Sequence, residues 1–220
     1  MMSTKPAQTK HVSRSDVQRI FKVYHGNYQQ LAQAIAAMNE PEVFLKLWSD
    51  TDRRPLFSLL DEVVRLLHNF VAAAEMWVDH SRRLMRQAYD GTALWDEYQR
   101  EVQARFVNDT LSGFVKDLRN NTLHHQLPAL HSRLHSSSGL DDEDGESPGG
   151  ATLDHSFVLP RDALLTSGKW TSRGRAYLTS SPEAIDIGQV VGQHYIQLHA
   201  FYVWLDEKLK EEGLRRWGAR

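Results

Sequence analysis

The segment KDLRNNTLHHQLP, residues 116 to 128, brings together the side chains best suited to chemistry. Arg119, Asn120 and Asn121 are followed closely by His124 and His125. A planar guanidinium can hold two oxygens of a phosphate group, and an imidazole that titrates near neutral pH can transfer a proton or bind a metal ion. Three interpretations are therefore open: the polar end of a helix, a metal site or an active site.

The elements around this segment are predicted to be long helices. Apolar residues from Leu56 to Met85 recur every three or four positions, which predicts a helix that opens at Arg54-Pro55 and spans about 50 Å. Gly91 and Thr92 predict a stop and a restart, since glycine favours helix C-termini and threonine caps N-termini. The second helix is expected to continue through Leu118 into the polar segment. A tight connection between two long helices predicts an antiparallel hairpin.

Two further helices are predicted to flank this hairpin, one from Ser15 to Met38 and one that begins at Ser180-Pro182-Glu183 and ends at Gly213. The predicted fold is therefore all-α and similar to a four-helix bundle. It forms a single helical domain over residues 15–213, between a flexible tail (1–14) and a basic tail (214–220). Residues 136–153 are rich in serine, glycine and acids, which predicts a disordered loop insertion. One short strand is expected at residues 155–160.

The composition is that of a globular protein that is not a membrane protein. The 220 residues are 41% apolar and 25% charged, and the formal net charge is −2. Without cysteine, neither a disulfide nor a thiolate site can form. No stretch is long and apolar enough for a membrane span or a secretory signal, so a cytoplasmic location is expected. The charge balance argues against a protein that wraps duplex DNA.

The order Arg119-Asn120-x-x-x-His124 resembles the signature of the HEPN superfamily, a set of helical-bundle proteins. The signature is R-x(4–6)-H, often with a polar residue after the arginine, toward the end of a long helix and beside a dimer interface. A second match runs from Arg19 to His25, but Ile20 follows its arginine and it lies early in the chain. The first match therefore carries the resemblance.

The resemblance implies a metal-independent endoribonuclease that needs no cofactor and acts as a homodimer. His124 would then serve as acid or base, Arg119 would stabilise the charge on the phosphate, and Asn120 would position it. His125 also fits the spacing and is an alternative to His124. The implied setting is a toxin or abortive-infection effector that cleaves RNA and that an antitoxin protein can mask.

A straight helix separates Arg119 and His124 by about 140° around its axis. Either the helix distorts between them, or the site is assembled from two subunits around a twofold axis. Further along the chain, KWTSRGR supplies Lys169, Arg173 and Arg175 as candidate RNA-binding residues. They lie in residues 161–180, a segment that could cover the motif as a lid.

Three alternatives compete with this interpretation. The motif could be a fraying helix end in which Arg119 pairs with Asp117 or Asp186. A metal site could form from His124 and His125 with His131 and His135, the last two spaced to chelate an ion on a helix. The chain could also be a non-catalytic dimeric helical module that binds partners through residues 195–204.

Overall fold

The computed structural model describes residues 14–38, 40–49, 51–125, 127–137 and 152–218. Within these residues the fold is mostly helical, which confirms the all-α prediction. The helices are α1 (Arg14–Ala37), α2 (Pro41–Ser49), α3 (Arg54–Tyr89), α4 (Ala93–Phe106), α5 (Thr110–His124), α6 (Arg161–Ser167), α7 (Ser172–Ser180) and α8 (Ile187–Gly218). The strands are β1 (His131–Ser137), β2 (Thr152–Pro160) and β3 (Ala184–Asp186).

The central helix α3 forms as the apolar pattern predicts. Pro55 occupies its first turn, where a missing backbone N–H costs nothing. One face is buried against α1 and α5, and its Trp77 ring meets Phe201 of α8 edge to face. Phe70 and Trp77 are nearly inaccessible to solvent. The turn after α3 is also as predicted: Gly91 has a φ of 74°, and the Thr92 side chain accepts a hydrogen bond from the Trp95 backbone. The hairpin between α3 and α4 is thus encoded locally.

The prediction of one continuous helix from Thr92 through Leu118 is wrong. α4 ends at Phe106, and α5 begins at Thr110 after an N-cap at Asp109. The Asp109 carboxylate accepts a hydrogen bond from the Ser112 backbone at 2.7 Å. Because a capping aspartate competes with the continuing helix for backbone N–H groups, α5 starts as a separate element.

A small antiparallel sheet of order β1-β2-β3 interrupts the helical series. The short strand expected at residues 155–160 is part of β2, whose Phe157 and Leu159 are buried. Part of the predicted disordered loop, residues 138–151, lies outside the described residues. Its margins are strands instead, because residues 136–137 pair with residues 152–153 across the hairpin.

The last helix begins and ends later than predicted. α7 ends at Ser180, the strand β3 follows, and α8 starts at Ile187. The Asp186 carboxylate accepts hydrogen bonds from the backbone of Gly188 and Gln189, so Asp186 caps α8. The helix then passes Gly213 and continues to Gly218, into the predicted basic tail. Of the predicted N-terminal tail, residues 1–13 lie outside the described part, and Arg14 opens α1.

The core lies where α1, α3, α5 and α8 meet. α1 and α8 pack through stacked rings, with Phe21 on Tyr202 at 3.8 Å and Tyr28 on Tyr195 at 3.7 Å between ring centroids. At the other end of α8's contact with α1, Arg14 holds Asp206 through two hydrogen bonds of 2.7 and 2.6 Å. None of the helices within the described ranges is long and apolar enough to cross a membrane.

Candidate functional site

The polar segment is helical through His124, so the first of the two possibilities, a distortion of the helix between Arg119 and His124, is not observed. α5 ends with His125 as its C-cap, whose backbone N–H donates to the Asn121 carbonyl at 2.9 Å. The Thr122 hydroxyl donates to the Arg119 carbonyl at 2.9 Å and satisfies part of the last turn. Arg119 and His124 therefore point to different sides of α5 within one chain.

Arg119 is partly buried and turned toward its neighbour Asn120. Its Nη1 donates to the Asn120 side-chain oxygen at 3.0 Å, and its Nε is buried without a hydrogen-bond partner among the described residues. The alternative in which Arg119 pairs with Asp117 or Asp186 is wrong, because among the described residues the Arg119 side chain bonds to Asn120 and to neither carboxylate. Asp117 instead accepts from Thr171, and Asp186 caps α8. Within the described part of the chain, the Arg119 guanidinium therefore forms no ion pair.

Asn120 and His124 lie one turn apart on α5 and line the same shallow, open depression. His125 and Lys169 also contribute to it, so one cation and two imidazoles surround a space that water can enter. Arg119 is not among its lining residues and is connected to the depression through its hydrogen bond to Asn120.

The floor of this depression is held by two polar residues whose role the sequence did not reveal. Asp117 is 3% exposed, and its Oδ2 accepts hydrogen bonds from the Thr171 backbone and hydroxyl, both at 2.7 Å. Asn121 exchanges two hydrogen bonds with the backbone of Lys169, at 2.9 and 3.1 Å. The carboxylate thereby lies at the N-terminus of α7, where a helix favours negative charge.

Close backbone contact continues this attachment toward the start of α5. A Cβ on Gly113 would lie 2.6 Å from the Cβ of Arg173, and one on Gly174 would clash with the Asp117 carboxylate. Gly113, Asp117 and Asn121 are spaced by four, so they share one face of α5. In the sequence, this face shows as small and hydrogen-bonding residues that interrupt an apolar stripe every four positions. That spacing is the signal from which the contact between α5 and residues 169–174 could be predicted.

The three predicted RNA-binding residues have different surroundings. The Nη1 of Arg173 donates to the carbonyls of Phe106 and Val107, both at 2.9 Å, so Arg173 caps the C-terminus of α4. Arg175 is exposed on α7, and Lys169 borders the depression. Because Asp117 and Asn121 fix residues 169–171 to α5, the segment is packed in place beside the motif and does not cover it as a lid.

The metal alternative depended on a helix that is not formed. His131 and His135 both lie in β1, where residues four apart are separated by about 13 Å and cannot chelate one ion. No group of three or more histidine or acidic residues that could hold a metal ion occurs in the described ranges.

Comparison of the chain with protein-family models, with curated proteins and with solved structures found no match.

Proposed function

We propose that the chain is a HEPN-like, metal-independent endoribonuclease whose site lies at the C-terminal end of α5. The contact between Arg119 and Asn120 supports this proposal, because it links a guanidinium by a hydrogen bond to Asn120, which borders the same open depression as His124. Lys169 adds a second cation there. A phosphodiester is the RNA group that such a set of donors and proton carriers fits best.

The proposed reaction uses the 2′-hydroxyl of the RNA as nucleophile. An imidazole takes the 2′-hydroxyl proton while the 2′-oxygen forms a bond to phosphorus and the bond to the 5′-oxygen breaks. A protonated imidazole gives a proton to the departing 5′-oxygen, and Arg119 stabilises the negative charge on the non-bridging oxygens. The products are a 2′,3′-cyclic phosphate and a 5′-hydroxyl, and the proposed steps use neither a metal ion nor a cofactor.

The reaction needs two proton carriers, and a homodimer supplies them. In the proposed assembly two copies place their α5 ends opposite each other around a twofold axis, so that each phosphate meets His124 from both chains. His125 borders the same depression and is the alternative second carrier within one chain. The toxin or abortive-infection role and the antitoxin partner stay predictions that rest on the resemblance alone.

The decisive experiment incubates the purified protein with RNA in the presence of EDTA and analyses the product ends. Cleavage should leave 2′,3′-cyclic phosphates, and it should be lost in Arg119→Ala and in His124→Ala. His131→Ala removes an exposed histidine of β1 and is the matched control that should keep full activity. A substrate with a 2′-deoxy sugar at the cleaved position should resist. Cleavage that survives both substitutions, or that needs a divalent ion, would refute the proposal.

A mixing experiment tests the shared site. If two copies of His124 act on one phosphate, an excess of the inactive His124→Ala protein lowers the activity of a fixed amount of the wild type by forming mixed dimers. If the second carrier is His125 of the same chain, His125→Ala is inactive and the excess of His124→Ala has no effect.

The second candidate is the non-catalytic module that binds partners through α8. Its aromatic residues mostly pack inward, as the buried Phe201 does, but Ile196 is 67% exposed and Val203 is 39% exposed on the same helix. These two residues lie seven apart, hence on one face. Absence of RNA cleavage together with a dimer that Ile196→Asp disrupts would favour the module.

A further inference from the structure

A pocket of about 160 Å³ lies between α3, α4, α5 and α8. Its wall is mainly apolar, and a cavity of about 150 Å³ with apolar walls is large enough to bind benzene. The space therefore fits one six-membered ring. The apolar residues of the wall include Ala74, Trp77, Val102, Phe106, Leu198 and Phe201.

Two polar atoms of the wall residues lack partners. The indole Nε1 of Trp77 and the hydroxyl of Ser112 are both buried, and neither has a hydrogen-bond partner among the described residues. Trp77 itself is 1% exposed. A buried donor without an acceptor costs about 1–3 kcal/mol, and an indole nitrogen can only donate. Both residues line the pocket, where an oxygen of a bound ligand is the acceptor that they lack among the described residues.

The rim of the pocket is positively charged. It contains Arg82, Lys116 and Arg173 against the single carboxylate of Glu75. Arg82 is paired with Asp79 at 2.6 Å, but Lys116 reaches Glu75 only at 3.8 Å and is 52% exposed. Lys116 is therefore the rim cation best able to accept a new anionic partner.

We propose that this pocket binds a small aromatic carboxylate with a second oxygen on its ring. The ring lies among the apolar wall residues, the ring oxygen accepts from Trp77 and Ser112, and the carboxylate pairs with Lys116. The proposal does not depend on RNA cleavage, because it rests on the pocket, its unpartnered donors and its rim.

The test uses 4-hydroxybenzoate as probe, with benzoate lacking the ring oxygen and 4-hydroxybenzamide lacking the charge. The readout is the indole N–H signal of Trp77 in a ¹⁵N-labelled sample, assigned with Trp77→Phe. This signal should shift downfield in a saturable titration. The indole N–H of Trp170, which already donates to the Leu164 carbonyl at 2.7 Å, is the internal control and should not move.

Variants separate the three contacts. Lys116→Gln should weaken binding of 4-hydroxybenzoate about fivefold and leave binding of 4-hydroxybenzamide unchanged. Ser112→Ala should weaken binding of 4-hydroxybenzoate and leave benzoate unchanged, since the hydroxyl has no partner to lose in the free protein. Ala74→Met fills the pocket and should abolish binding in a protein whose circular dichroism is unchanged.

Three results would overturn the proposal. The first is a Trp77 signal that does not move at millimolar probe, as expected if the pocket holds only water. The second is a shift that Ala74→Met does not remove. The third is an equal response of the Trp77 and Trp170 signals, which would indicate binding outside the pocket.

Discussion

Replacement of Asp117 by alanine tests whether the polar stripe of α5 holds residues 169–171 in place. The substitution removes the acceptor of two hydrogen bonds that converge on one buried oxygen, both 2.7 Å long. A hydrogen bond to a charged group contributes about 1.5–3 kcal/mol, and two bonds to one oxygen contribute less than twice that. The free energy of unfolding should therefore fall by about 3 kcal/mol.

Asp117→Asn keeps an oxygen in the same place but removes the charge. Because neutral hydrogen bonds contribute only about 0.5–1.5 kcal/mol, this variant should lose about 1–2 kcal/mol. Asn120→Ala is the matched control. Asn120 is partly exposed and bonds only to Arg119 among the described side chains, so its removal should change stability by less than about 0.5 kcal/mol.

Urea unfolding followed by far-UV circular dichroism measures the series. The expected order of destabilisation is Asp117→Ala, then Asp117→Asn, then Asn120→Ala. A wild-type midpoint for Asp117→Ala would refute the assigned hydrogen bonds. A loss in Asn120→Ala as large as that in Asp117→Ala would show that the candidate site residues are structural as well.

Three further predictions test other contacts. Burial lowers the pKa of His194 to about 4 from its ordinary 6.5, so between these pH values the unfolded chain binds a proton that the folded protein does not. The free energy of unfolding should therefore fall by about 3 kcal/mol as the pH drops through this window. Urea titrations of His194→Gln should lose most of this pH dependence. Arg173→Ala removes the donor to two carbonyls at the end of α4 and should cost about 1–3 kcal/mol, whereas the exposed Arg175→Ala should change the urea midpoint little. Gly113→Ala should lower the free energy of unfolding by about 1–3 kcal/mol, because the added Cβ would lie 2.6 Å from the Cβ of Arg173. Gly26→Ala is the control: its Cβ meets no atom within 4 Å, so the substitution should stabilise α1 by about 0.5–1 kcal/mol. Equal midpoints within either pair of variants would contradict the contact that the pair tests.

The long helices could be predicted because their signals are local. The start of α3 at Arg54-Pro55 and the turn at Gly91-Thr92 depend on residues within one turn of each other. The break between α4 and α5 does not follow from apolar spacing, because that spacing continues across it. The only local signal for the break is the capping residue Asp109. The β1–β2 pairing joins residues 131–137 to residues 152–158. Helical periodicity contains no information about such a pairing between distant segments.

The candidate site was predictable in its residues but not in its surroundings. Arg119 and His124 follow from a short motif, whereas the role of Asp117 depends on Thr171, fifty-four positions later in the chain. Arg173 looked like an RNA contact by composition alone, but its partners are backbone carbonyls that no sequence pattern identifies. Charge predicts what a residue can bind, and only the packing decides which partner it meets.

One face of α5 changes its role along its length. Near the start of α5, α7 packs so closely on Gly113 that a methyl group there would clash with Arg173. One turn later, Asp117 accepts a hydrogen bond from the Thr171 hydroxyl. Where α7 no longer covers the helix, the same face presents Asn120 and His124 to an open depression. Because the covered part supplies the hydrogen bonds between α5 and residues 169–171, the open part can carry polar side chains that contribute little to stability. Substitutions at Asn120 and His124 should therefore report on chemistry, and substitutions at Asp117 on folding.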